Sequence, residues 1–289
     1  MRLEDLPPVP GVRHKTVRAG DVDLHVAEAG EGPPLLLLHG WPQHWWSYRK
    51  LIPRLAERYR VLVPDLRGWG WSEVPAGDPM AKDEFARDIL ALMDAEGIER
   101  ARVISHDWGA YAALLIALGH PERLERLVAL DIAPPWARRP HPGLLLLPVF
   151  MIYQLLIVTV GSRLMTSSQN FIRTVIKVGS GPDAQWSDTE LEAFAAQLQE
   201  PGRAHASVAC YRTFLRRELL ESRMRTPPAS LDVPTLMIMG GAGLLHRIAA
   251  PEPRGNLRIE TIPRAGHFLA EEKPDEVLAL AEPFLAEEA

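Results

Sequence analysis

Val103-Ile104-Ser105-His106-Asp107-Trp108-Gly109-Ala110 is the stretch that decides how the rest of the chain is read. Arg102 to Ser105 reads as a short buried strand, and Tyr111 to Leu118 as an apolar helix. Only a few residues separate them, so the turn is tight, and Gly109 lets the helix pack close to the strand. A carboxylate at the start of a helix stays ionised, because the free N–H groups and the helix dipole favour negative charge. Asp107 is therefore a candidate nucleophile, able to form an ester with a substrate carbon. The alternative is an aspartate that only caps the helix.

Outward from this turn, strand and helix patterns alternate. His14–Ala19 and Val22–Ala29 alternate in polarity around Gly20-Asp21 and predict a hairpin. Pro34–Leu38 is an apolar run of the kind a parallel sheet covers on both faces, Arg60–Pro64 and Leu127–Leu130 (ending at Asp131) read as further buried strands, and Pro234–Gly240 and Leu257–Ile262 as two more strands. Helices are predicted from Pro42 to about Arg58, over Lys82–Glu96 and from about Pro274. The fold class is α/β, a mostly parallel eight-stranded sheet flanked by helices. After Ala133 a run of prolines breaks the alternation and helical periodicity takes over. This predicts a core of residues 1–135 and 229–289 with a helical cap, 136–228, inserted between its halves. Within the cap, Leu144–Val160 is almost wholly apolar, but it is short for a membrane span and contains Pro148, Tyr153 and Gln154. It is predicted to be a buried cap helix lining a pocket.

Composition narrows the function. With 47% hydrophobic and 24% charged residues the chain is an ordinary globular one, and a net charge of −5 offers no basic footprint for nucleic acid. The single cysteine, Cys210, excludes an internal disulfide framework and suits a reducing compartment. The acidic, proline-bearing N-terminus does not read as a signal peptide, so the expected location is cytoplasmic.

Four motifs together, His39-Gly40-Trp41-Pro42, Asp65-Leu66-Arg67-Gly68, Ser105-His106-Asp107-Trp108-Gly109 and Gly266-His267-Phe268, resemble those of the α/β-hydrolase superfamily, and within it the soluble-type epoxide hydrolases. The resemblance runs from His14 to Leu285 and is shared with haloalkane and fluoroacetate dehalogenases. It implies an α/β-hydrolase fold and an aspartyl-ester mechanism. Asp107 would attack carbon, the backbone N–H groups of Trp41 and Trp108 would form the oxyanion hole, and His267 would activate water to hydrolyse the ester. Tyr153 and Tyr211 resemble the two cap tyrosines that protonate the opening epoxide oxygen. The implied substrate is a small apolar epoxide with water as co-substrate. No metal or organic cofactor, nucleic acid or membrane span is expected, and the resemblance leaves room for a homodimer. Fluoroacetate dehalogenases hold a substrate carboxylate with arginines near the nucleophile, where this chain has Trp108 and Tyr111.

One position departs from the pattern. Most epoxide hydrolases carry the histidine's partner acid in the loop after the strand ending here at Gly240, but this chain has Gly243 where aspartate is expected. Asp131, at the end of the preceding sheet strand, is the replacement candidate, and Glu252 competes with it. Three readings follow: an epoxide hydrolase, a haloalkane dehalogenase-type hydrolase, and a catalytically silent binding protein on the same fold.

Overall fold

The computed structural model describes residues 1–77, 80–136, 147–249 and 251–287, with the backbone alone for 147–150 and 249. Eight strands form one sheet: β1 (Arg13–Ala19), β2 (Val22–Ala29), β3 (Pro34–Leu38), β4 (Arg60–Pro64), β5 (Ala101–His106), β6 (Leu124–Leu130), β7 (Thr235–Gly240) and β8 (Leu257–Ile262). Their order across the sheet is β1-β2-β4-β3-β5-β6-β7-β8. β1 and β2 join by antiparallel pairing, and every pair from β4 to β8 is parallel. The all-apolar Leu35–Leu38 run lies inside the sheet and is fully buried, whereas most residues of the edge strands β1 and β8 are exposed or half-buried.

The parallel register places the chemistry. Ser105 pairs with Leu38 on one side and Ala129 on the other, and His106 pairs with Leu130. The next residues, Asp107 and Asp131, therefore leave neighbouring strands at one edge of the sheet, where open parallel sheets carry their sites.

Two predicted helices differ from the structure. The segment after Trp41 is a 3₁₀ turn, Trp45–Tyr48, and a one-turn helix, Ile52–Leu55, in place of one helix to Arg58. Pro53 cannot donate its missing N–H to a longer helix, and the 45–48 turn directs three aromatic rings inward. The apolar helix Leu147–Leu156 and the π-turn Ile157–Gly161 bury only one side. Gln154 and Ile157 are buried, but Ile152, Leu155, Leu156 and Val160 are exposed. The expectation of a wholly buried helix is thus corrected, because only one face of this segment meets the core. Residues 144–146 of that stretch lie outside the described residues. No helix among the described residues is long and apolar enough to cross a membrane.

Residues 147–224 between β6 and β7 are mainly helical, including Asn170–Gly179, Asp188–Gln197 and Pro201–Thr213. Polar ties join them to the sheet domain. Trp69 Nε1 donates to Ser207 Oγ at 3.1 Å, and the ammonium of fully buried Lys82 lies 2.8 Å from Glu218 Oε2 and 3.0 Å from the Cys210 carbonyl. Breaking such a buried pair by removing one partner leaves the other charge uncompensated.

The helix after β5 packs so closely that residue 109 has no room for a side chain. A Cβ there would stand 2.3 Å from the His39 carbonyl oxygen and 2.6 Å from that of Leu38. Both obstacles are backbone, so relief requires moving β3 or the helix. Gly109→Ala is therefore expected to lower unfolding stability by about 1–3 kcal/mol in urea titration. An unchanged midpoint would show that this turn is looser than its geometry.

Candidate active site

Asp107 takes φ +49°, a left-handed conformation rare for an aspartate, at the junction of β5 and the following helix. This bend is the strand–turn–helix geometry that exposes a nucleophile at the sheet edge. The residue is only 8% exposed. Its Oδ1 accepts the Trp41 N–H at 2.9 Å. Burial would raise its pKa, but the neighbouring His267 and the Trp108 N–H outweigh burial and hold it below the usual carboxylate value. The group is thus an anion supported by the Trp41 backbone donor and the neighbouring His267.

His267 stands between two carboxylates. Its Nδ1 donates to Asp131 Oδ2 at 2.7 Å, and its Nε2 faces Asp107 Oδ2 at 3.6 Å, just beyond hydrogen-bond distance. Asp131 also takes a left-handed φ, +41°, and its Oδ1 accepts the Gly240 N–H at 3.1 Å. A Cβ at Gly243 would lie 3.7 Å from Asp131 Oδ1, so an acid from either position would come to the same place. Glu252, the competing acid, pairs at long range with Arg254. Burial alone would depress the His267 pKa, but contact with Asp107 and Asp131 overrides it and lifts the value to about 10. In the resting site His267 is an imidazolium.

His106, beside the nucleophile candidate, belongs to the scaffold. Its Nε2 donates to the His267 carbonyl at 2.9 Å, and burial first, then the His267 charge, drives its pKa down to about 3.

The two sequence-predicted tyrosines meet. Their hydroxyls lie 3.2 Å apart, and both rings pack on the indole of Trp41, the residue whose N–H holds Asp107. Trp108 packs edge-on against Tyr211 from the other side. Burial, with a further contribution from the Asp107 charge, raises the pKa of both phenols, so both stay protonated. The indole Nε1 groups of Trp41 and Trp108 are buried and have no hydrogen-bond partner among the described residues. Among the described residues no group of three or more His, Cys, Asp or Glu side chains could hold a metal ion. The sequence reading missed Glu272, whose carboxylate accepts backbone N–H groups on both sides of His267. An acid five residues beyond His267 was its only sequence signal.

A family model described as the alpha/beta hydrolase fold matches residues 33–274. The chain belongs to the alpha/beta hydrolase fold family. This hydrolase is 30% identical to a soluble epoxide hydrolase of Corynebacterium sp. (strain C12), over 95% of its own length and 98% of that protein's. It is 29% identical to a fluoroacetate dehalogenase of Burkholderia sp. over 96% and 95% of the two chains. The solved structure of the epoxide hydrolase CorEH without ligand superposes with a TM-score of 0.81 at 27% identity, covering 95% of this hydrolase and 99% of that chain.

The raised His267 pKa ties stability to pH. A folded-state value of about 10 against an ordinary 6.5 means the pairing contributes fully below pH 6.5 and is lost as pH rises through 10. The melting-temperature gap between wild type and Asp131→Asn should therefore be widest near pH 6 and narrow toward pH 10. A gap that stays flat or widens would contradict the imidazolium pairing.

Proposed function

We propose that this hydrolase opens an apolar epoxide to a vicinal diol through an ester on Asp107. The observation that carries this reading is the pair of protonated tyrosine hydroxyls, 3.2 Å apart, packed on the Trp41 that holds the carboxylate. An epoxide oxygen leaving carbon needs a proton as the C–O bond breaks, and a phenol is an acid suited to give one.

The charges balance over the cycle. Asp107 attacks an epoxide carbon, the ring C–O bond breaks, and Tyr153 or Tyr211 gives its proton to the ring oxygen. Esterification removes the Asp107 charge, so His267 keeps only Asp131 as its anion and its pKa falls. The imidazolium then returns a proton to the tyrosinate and becomes a neutral base. His267 takes a proton from water, hydroxide adds to the ester carbonyl, and the oxyanion that forms is met by the Trp41 and Trp108 N–H groups. Collapse releases the diol, whose oxygen takes the carboxyl proton, and restores the Asp107 carboxylate with His267 charged. Asp131 orients the imidazole throughout. The close approach of Gly243 to Asp131 supports a relocated acid and weakens the reading of a silent binding protein. The helical segment between β6 and β7, in this reading a cap, supplies both tyrosines. With Trp41 and Trp108 packed around Tyr211 and Phe214 packed on Trp108, it favours an apolar substrate.

One observation favours a second reading. The two unpartnered indole N–H groups, on Trp41 and Trp108, are donors that a departing halide would take. A panel of epoxides and haloalkanes assayed for diol and halide separates the two. Diol release is expected to dominate, and the Tyr153→Phe/Tyr211→Phe double change to slow ester formation from epoxides by about 10²–10⁴-fold. Halide release that is faster than diol release and indifferent to the double change would establish the dehalogenase instead.

A further inference from the structure

The loop carrying His267 leans on the inserted helical segment. Its own N–H donates to the Gly179 carbonyl at 2.8 Å, at the end of the helix Asn170–Gly179. Glu272 Oε2 accepts the N–H of Gly266 at 2.8 Å and that of Gly181, in the inserted segment, at 2.7 Å. Its Oε1 accepts the Phe268 N–H at 2.9 Å. One carboxylate therefore holds the backbone on both sides of His267 and the loop that covers it. The two backbones touch: a Cβ on Gly266 would stand 2.3 Å from the Gly181 nitrogen, and one on Gly181 would stand 2.1 Å from the Arg264 carbonyl oxygen. Side chains extend the contact, with Trp186 packing edge-on to Phe268 and donating to Ser180 Oγ at 2.9 Å.

We propose that Glu272 is a positioning residue that fixes His267 for the hydrolytic half of the cycle and couples that placement to the seating of the cap. The inference rests on the Asp107–His267 reading above. Charge-assisted bonds to three backbone donors make a stiff anchor. Ester hydrolysis needs that stiffness most, since His267 Nε2 must hold a water against the ester carbonyl. Alkylation needs it least, because Asp107 is held by the Trp41 N–H. The substrate meets a cap whose loop shares an anchor with the base, so cap seating and base placement move together.

The test compares wild type with Glu272→Gln and Glu272→Ala by rapid quench and intact-protein mass spectrometry on a turned-over epoxide. Ester formation should stay within about twofold, while ester breakdown slows by about tenfold in the isosteric glutamine variant and about a hundredfold in alanine, the scale of an ångström-level misplacement. The ester should accumulate, with kcat and KM falling together. Hydrogen exchange on peptides spanning residues 176–184 and 264–270 should quicken in both at once. Exchange that quickens only around His267, or ester breakdown at the wild-type rate in Glu272→Gln, would overturn the proposal. A wild-type protein that forms no ester with any epoxide or haloalkane would refute the Asp107 reading, and the exchange data would then judge the anchor alone.

Discussion

Two left-handed aspartates at the ends of adjacent strands are the constraint on which the site depends. Asp107 and Asp131 follow His106 and Leu130, which pair across β5 and β6, and both backbones bend out of the sheet with positive φ. Such conformations cost about 1–3 kcal/mol each and persist only where the surroundings determine them. Here those surroundings are fully buried strands on both sides, a glycine at 109 that admits the helix, and donated N–H groups on each carboxylate. The sheet's register thus delivers two anions to one imidazole, and His267 joins them by Nδ1 to one and Nε2 toward the other.

That arrangement makes the charge on His267 depend on the state of Asp107. While both carboxylates are charged, burial is overridden and the imidazole stays protonated. A site that loses one of the two charges in its first chemical step converts its histidine from an acid into a base without moving it. The proposed chemistry therefore needs no separate switch, and the tyrosines, held protonated by burial, complete the proton inventory.

The sheet was legible because its strands carry dense apolar runs, such as Leu35–Leu38 and Val103–Ile104, that only burial on both faces explains. Asp107 was legible because a tight turn between an apolar strand and an apolar helix leaves few places for a carboxylate. Asp131 could be named from parallel topology, since strand order decides which residues share an edge. The segment after Trp41 misled because its apolar spacing fits a helix, whereas the structure spends those rings on packing beneath a 3₁₀ turn. The partial exposure of Ile152, Leu155, Leu156 and Val160 was hidden for a related reason: a uniformly apolar helix carries no periodic signal of which face is covered. The Lys82–Glu218 pair and the bond from Gly181 to Glu272 left no local trace, because those partners lie far apart in sequence and only the folded backbone brings them together.

In the proposed aspartyl-ester cycle, oxygen enters the product from Asp107 and is replaced on the protein by water. A single turnover with excess protein in heavy-oxygen water, followed by digestion and mass spectrometry, reads this directly. Label is expected in the peptide containing Asp107, with unlabelled oxygen in the newly formed diol hydroxyl. Label in the diol with none in that peptide would mean that water attacks the substrate itself, and the aspartyl-ester account would fall.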